Sequence, residues 1–215
     1  MRYQIMAIVE GHGEQTAVPV LLRRWFHHRR YQNFETPDLA IRAAGAGALK
    51  CPHNAEDELG IEHYVGVAAR ERPDGILVLL DSDEECLQRP KKKALGPELL
   101  SRARRIAPHI PIEVVVANRE YEAWFLASLE NLRRAGKVPP GPRLKTPLAD
   151  VESIADCKKR LGVLLGRSYE ETTDQSDMTG VLPFTQVMAR RSRSYRKLLK
   201  ALESLTQAAR GKASS

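Results

Sequence analysis

Six carboxylates of this chain fall in three tight groups: Glu10 and Glu14, Asp81 and Asp83, and Glu120 and Glu122. Each group follows a run of apolar residues that ends where the acids begin. The first run is residues 3–9, the second 76–80 and the third 112–117. If those runs are parallel strands, their ends lie on one edge of a sheet, where open α/β folds gather their ligands. Clustered like charges repel unless a cation neutralises them. Mg²⁺ and Mn²⁺ prefer carboxylate oxygen and water. One or two such ions can activate water, neutralise the charge developing on a phosphorane and help an oxygen leave, which is the chemistry of phosphodiester cleavage. A nearby cation would add charge stabilisation. Lys50, past Gly45-Ala46-Gly47, and Arg119, beside the third acid group, have the right position in sequence. Each group also has a plain structural role open to it. Asp81 or Asp83 could cap a helix, Glu14 suits a first helical turn, and Glu120 and Glu122 could be surface acids. Lys50 could be a solvated loop residue, and Arg119 could pair with a neighbouring glutamate.

The elements that must position these groups alternate between two periods. Residues 3–9, 39–43, 76–80 and 112–117 read as strands. Val18, Leu21, Leu22, Trp25 and Phe26 mark a helix after the first strand. Its end, His27-His28-Arg29-Arg30, is a basic turn that complements the helix dipole. Further helices are expected near 56–71, 98–106 and 120–134. Strands alternating with helices predict an α/β fold with a mostly parallel sheet of about four strands flanked by helices. This domain is assigned to residues 1–135. The proline- and glycine-rich stretch 136–150 reads as a linker. Residues 151–215 read as a basic helical extension, with helices over 148–165, 179–191 and 194–209. Tyr169, Asp174 and Gln175 fall in a threonine-rich stretch read as a loop. Leu198, Leu199, Leu202 and Leu205 form an apolar stripe that must be buried, and packing back on the α/β body is expected.

The formal net charge of the 215 residues is +7. All of that excess lies in residues 185–215, which carry eight basic residues and one acid. Such a segment suits a polyanion, with Arg190, Arg191, Arg193, Arg196 and Lys197 as the candidate nucleic-acid contacts. A solvated helix face is the plainer alternative. The three cysteines, Cys51, Cys86 and Cys157, lie far apart, which argues against a disulfide framework and for a reducing cytoplasm. Cys51-Pro52-His53 has no second half with zinc-site spacing. The longest apolar runs fall far short of the ~20 residues a bilayer crossing needs, so no membrane partner is expected. A Gly-x-x-x-x-Gly-Lys-Ser/Thr loop is absent, so this segment is not itself a P-loop ATPase.

Val9-Glu10-Gly11-x-x-Glu14 after a strand, with a later strand ending in Asp81-Ser82-Asp83, resembles the Toprim domain. That Rossmann-like fold is the catalytic unit of topoisomerases, DnaG-type primases and OLD-family nucleases. Arg119-Glu120-x-Glu122-Ala123-Trp124, Tyr169 with Asp174-Gln175, and Arg193-Ser194-Tyr195 extend the resemblance to a small bacterial family of Toprim-like proteins. Its members often lie beside an ABC-type ATPase, frequently in phage-defence settings. The resemblance implies that Glu10 is a general acid/base or metal ligand and that Asp81 and Asp83 bind metal. It implies that Glu14 is the additional ligand OLD-type nucleases use. Glu85, Glu120 and Glu122 are the residues that could complete a second metal site, with Glu122 the candidate ligand. His12-Gly13 departs from the residues usual in the glutamate motif. The function implied is a Mg²⁺- or Mn²⁺-dependent nuclease acting on nucleic acid, DNA in the first instance, with an ATPase as a possible partner. The alternatives are a catalytically weak module that binds an ATPase complex, or a nucleotide phosphohydrolase or nucleotidyltransferase.

Overall fold

The computed structural model describes residues 2–44, 47–51, 59–82, 94–141 and 148–211, without the side chains of 148–150. Asp83, Glu85, Cys86, Pro52 and His53 lie outside the described residues. At the centre is β1 (Tyr3–Val9), flanked on one side by β4 (Gly75–Asp81), which is followed outward by β5 (Ile112–Ala117). On the other side two short strands, β2 (Phe34–Glu35) and β3 (Ile41–Arg42), lie end to end along β1. All of these pairings are parallel. The expected α/β sheet of about four strand positions is therefore present, the second position being split in two.

Continuous apolar strands mean that both faces are covered. Tyr3, Ile5, Ala7 and Val9 of β1, with Leu77, Leu79 and Val115, point to the face covered by α1 (His12–His28) and α9 (Arg193–Gly211). The alternate residues, Met6, Ile8, Ile76, Val78, Leu80 and Val114, meet α2 (Ile61–Arg70) and α3 (Leu95–Ile106). One local defect ties α1 to the sheet. Pro19 lies inside α1 and has no N–H to offer the Gln15 carbonyl. The Ala40 amide, just before β3, donates to that carbonyl at 2.9 Å instead.

After β5 the chain forms α4 (Ala123–Ala127), α5 (Leu129–Arg134), a 3₁₀ turn (Leu148–Ser153), α6 (Cys157–Leu165), α7 (Glu171–Thr179) and α8 (Gln186–Arg191) before α9. Several expected helices are corrected here. The helix expected over 120–134 breaks at Ser128, whose hydroxyl bonds back to the Phe125 carbonyl at 3.2 Å. The one expected over 148–165 breaks before α6, where Asp156 takes a left-handed conformation with φ 53°, which a short polar side chain tolerates. The helix expected over 179–191 shortens to α8, since α7 ends at Thr179 and the residue before Pro183 is driven out of the helical region. The threonine-rich stretch expected as a loop is α7, which lies along α1.

The leucine stripe of the C-terminal segment does pack back on the body. Leu198, Leu202 and Leu205 are buried in the same core as β1, β4 and α1. Glu113 of β5 holds Lys197 at 2.9 Å and Ser204 at 3.0 Å. The start of α9 is capped by Ser192, which accepts from the Tyr195 amide, and by Glu152, which accepts from the Arg193 and Ser194 amides. Replacing Leu202 by Ala should cost about 2–5 kcal/mol, the range for emptying a packed core site. Urea unfolding should show it as a lower midpoint with an unchanged slope.

Candidate active site

Parallel pairing sets the register of the acidic ends. Val9 pairs with Leu79 and Asp81 with Ala117, so Glu10, Asp81 and the turn 118–122 all emerge on the carboxyl edge. Glu10 accepts a hydrogen bond from the Gly47 amide. That bond ties the loop bearing Lys50 to the end of β1. The same loop is held from behind by buried Arg102, which binds Glu62 through two nitrogens and donates to the carbonyls of Lys50 and Cys51. Asp81 accepts from the Tyr121 amide at 2.9 Å, and buried Ser82 accepts from the Arg119 amide at 2.7 Å. These two bonds shape the turn after β5, where Arg119 takes a left-handed φ of 65°.

The turn sends its two glutamates in different directions. Glu120 accepts from the Lys158 amide at the start of α6. Glu122 turns inward and is fully buried. Its Oε1 receives Gln175 Nε2 at 3.4 Å, and the same nitrogen donates to Glu14 Oε1 at 2.9 Å. A single amide from α7 thus bridges two carboxylates from the starts of α1 and α4. Glu122 Oε2 is buried with no hydrogen-bond partner, and so is Gln175 Oε1. The Tyr169 hydroxyl is buried nearby without a hydrogen bond of good geometry, yet close enough to act on Glu122.

Two glycines make this approach possible. A Cβ on Gly11 would run into the Glu14 carboxylate. One on Gly13 would collide with the Gln175 side chain and meet the Glu171 carbonyl at 2.8 Å. The Gly-His-Gly stretch is therefore spaced for contact with Glu14 and α7.

The electrostatics follow from burial. Loss of water pushes the Glu122 carboxyl up to about 7. Lys158 opposes this rise and Glu14 adds to it. The Tyr169 phenol is driven well above its ordinary value by burial and then by Glu122. Burial works against the charge of Lys158, but Glu122 and Glu171 outweigh it and hold the ammonium above its ordinary value, with Asp81 contributing. Its Nζ sits 2.7 Å from Glu171. Burial, Glu120, Glu122 and Asp81 push the Cys157 thiol up to about 12, which makes it a poor nucleophile. The start of α6 therefore stands in the field of the acidic edge.

The structure thus brings Glu14 and Glu122 together directly, and sets Glu10 and Asp81 on neighbouring strand ends of the same edge. Lys158, Gln175 and Tyr169 complete the setting, and residue type and spacing alone give none of them a chemical role. Lys158 stands in a basic run that looks like any solvated helix face. Tyr169 and Gln175 stand out in the sequence only through the family resemblance. Asp174, which shares that resemblance, is instead a structural residue. Two bonds from Arg167, at 2.6 and 2.7 Å, hold its carboxyl below the ordinary range, and it accepts from the Glu170 amide at the start of α7. Of the basic C-terminal residues, Arg191 is spent on the Ala127 carbonyl and Glu130, and Lys197 on Glu113. Arg190, Arg193 and Arg196 are exposed. Among the described residues no group of three or more His, Cys, Asp or Glu is gathered as a metal site. The carboxylate donors fit a hard divalent cation in kind, and the orphaned Glu122 Oε2 is an oxygen that such an ion would satisfy.

A three-layer α/β sheet with carboxylates at its carboxyl edge defines the class. A family model described as a domain of unknown function, DUF4276, matches residues 9–203, and the chain belongs to that family. The chain is similar in structure to the C-terminal region of the Burkholderia pseudomallei OLD protein, with a TM-score of 0.48, 17% identity and coverage of 97% of this chain and 99% of that one. It is also similar to the C-terminal region of the Xanthomonas campestris pv. campestris OLD protein, with a TM-score of 0.45, 15% identity and coverage of 99% and 98%. None of the curated proteins matches the sequence. No helix among the described residues is long and apolar enough to cross a membrane.

The raised Glu122 carboxyl makes stability depend on pH. Between its unfolded value near 4.5 and its folded value near 7 the native state binds the extra proton, so stability falls as pH rises through this window. With EDTA present, Glu122→Gln should match the parent near pH 4. Above pH 7 it should exceed the parent by about 3 kcal/mol, since each tenfold difference in proton affinity between the folded and unfolded states is worth roughly 1.4 kcal/mol. Urea unfolding at a series of pH values measures the gap.

Proposed function

We propose that this chain is a divalent-metal-dependent phosphodiesterase acting on nucleic acid, a nuclease of Toprim type. The observation that carries the reading is the buried Glu122 carboxylate, with one oxygen unsatisfied, beside Glu14 at the edge where β1 and β4 end in Glu10 and Asp81. Glu10, Glu14, Asp81, Asp83 and Glu122 would hold one or two Mg²⁺ or Mn²⁺ ions. Bound there, such an ion supplies activation of water and neutralisation of charge on the phosphoryl oxygens.

The chain's own groups do the rest. Gln175 orients Glu14 and Glu122 by donating to both. Glu122 carries a proton for part of the time at neutral pH and releases it when positive charge arrives. Lys158, kept charged by Glu122 and Glu171, would meet a substrate phosphate beside the acids. It joins Lys50 and Arg119 as a source of charge stabilisation. Arg190, Arg193 and Arg196 on the exposed side of the C-terminal helices would contact the nucleic-acid backbone. An ABC-type ATPase partner and a role in phage defence belong to the same reading through the family resemblance.

The direct test is incubation with plasmid and single-stranded substrates in Mg²⁺, Mn²⁺ or EDTA, alone and with any co-encoded ATPase. Cleavage with metal and none in EDTA is expected. The Asp81→Asn, Asp83→Asn double variant should lose cleavage while melting at or above the parent's metal-free temperature, because like charges have been removed and asparagine keeps the oxygen that accepts from the Tyr121 amide. If the variant cuts as well as the parent, the acidic edge is not the active site. A separate measurement addresses binding. Changing Arg190, Arg193 and Arg196 to Gln should flatten the dependence of DNA affinity on salt by about 0.9 per lost phosphate contact on a log–log plot. An unchanged slope would remove these residues from the nucleic-acid interface.

A further inference from the structure

Helices α1 and α9 both run against the strands, so their C-terminal ends meet at the amino-terminal end of β1, far from the acidic edge. There Tyr3, Arg29, Tyr31, Gln207 and Arg210 help to line a cavity of about 750 Å³. Arg30 and Asn33 complete its polar wall. Among the described residues it is lined by three guanidinium groups and no carboxylate. Glu203 is taken up by Arg29 at 2.8 Å and by Gln207 at 2.8 Å. Arg29 and Arg210 both lie over the Tyr31 ring, at 5.9 and 5.4 Å from its centre. Stacking holds the two guanidinium groups in place before any ligand arrives.

A helix C-terminus favours cations, and that alone accounts for Arg29 and Arg210. It does not account for Arg30. The end of α1 closes with the Tyr31 amide on the Phe26 carbonyl at 2.8 Å and the Arg30 amide on the His27 carbonyl at 3.0 Å. This is the Schellman arrangement, whose penultimate residue is left-handed and is ordinarily glycine. Here that residue is Arg30, at φ 57°. Its side chain is exposed and has no carboxylate partner among the described residues. The left-handed backbone leaves the Arg30 guanidinium on the cavity wall beside Arg29 and Arg210.

We propose that this cavity is a second anion site that binds phosphate groups, either of a free phosphate ester or diphosphate or of a nucleic-acid backbone. Arginine forks match phosphate oxygens two at a time. The Asn33 and Gln207 side chains line the same wall with further hydrogen-bonding groups. The depression is open to solvent and its lining is polar, which suits a charged ligand.

The test uses the full chain in EDTA at low salt, with inorganic pyrophosphate and a short single-stranded oligonucleotide as separate probes in calorimetric titrations. Arg30→Gly and Arg210→Gln are the variants. Each should weaken binding of at least one probe by roughly tenfold or more, equivalent to about 1.4 kcal/mol. Arg30→Gly should also melt at or above the parent temperature, because glycine relieves the left-handed strain, so loss of binding cannot be ascribed to loss of fold. Weakened pyrophosphate binding assigns the site to a free phosphate compound. Weakened oligonucleotide binding, with pyrophosphate unbound, assigns it to a nucleic-acid backbone. If the parent binds neither probe, or both variants bind as the parent does, the proposal is overturned.

Discussion

Taking one carboxylate out of water is the constraint around which this molecule is arranged. Glu122 has no exposed surface, and an isolated buried charge costs several kcal/mol, so its surroundings must either share a proton with it or supply compensating charge. Gln175 gives it one hydrogen bond, Lys158 supplies field, and Glu14 opposes the charge from the other side. These groups come from the starts of α1, α4 and α6 and from α7, elements spread over more than half of the chain. The glycines at 11 and 13 exist in the service of this meeting, since a side chain at either would displace Glu14 or Gln175. A structure without need of the pair would gain stability by replacing it with apolar residues. Two carboxylates that share one buried amide are the feature on which the proposed activity rests.

The two longest helices share one running direction. Both α1 and α9 leave from the acidic carboxyl edge and end at the opposite end of the sheet among arginines and tyrosines. Glu14 and Glu122 therefore lie toward one pole and Arg29 and Arg210 toward the other, a 19-residue helix being about 28 Å long. Each pole is also the dipole-favoured place for its charge: Glu14 stands in the first turn of α1, and Arg210 in the last turn of α9.

How much of this was legible in the sequence depended on where the information sits. The strands were readable because a sheet covered on both faces needs unbroken apolar runs, and residues 3–9 and 112–117 have no competing pattern. The placement of Glu10 and Asp81 on one edge followed from parallel topology alone. Helix α7 was not readable, because the face it buries against α1 consists of Asp174, Gln175, Met178 and Thr179. Three of these four residues are polar, and Gln175 and the Thr179 carbonyl bond to Glu14 and Arg24 of α1, so hydrophobic periodicity cannot report the burial. Lys158 was hidden for a related reason. Its identity as a site residue comes from the fields of Glu122 and Glu171, and Glu122 lies 36 positions away in sequence. The choice between Glu120 and Glu122 as the inward residue was set by the left-handed turn at Arg119, which no local pattern announces.

The packing of α9 also governs the order in which the chain can acquire its shape. The central face of β4 and β5 is complete once residue 117 has been made, yet Leu198, Leu202, Leu205 and Ala209, which close it, come 81 to 92 residues later. During synthesis from the N-terminus, that surface stays bare while α4 to α8 emerge, and the emerging segment must circle the edge of the sheet before the lid helix can be laid down. Contacts of such long sequence separation make for slow closure and a long interval in which apolar strands are open to other chains. The apolar strands of the nascent chain thus stay without their covering helix until α9 has been made.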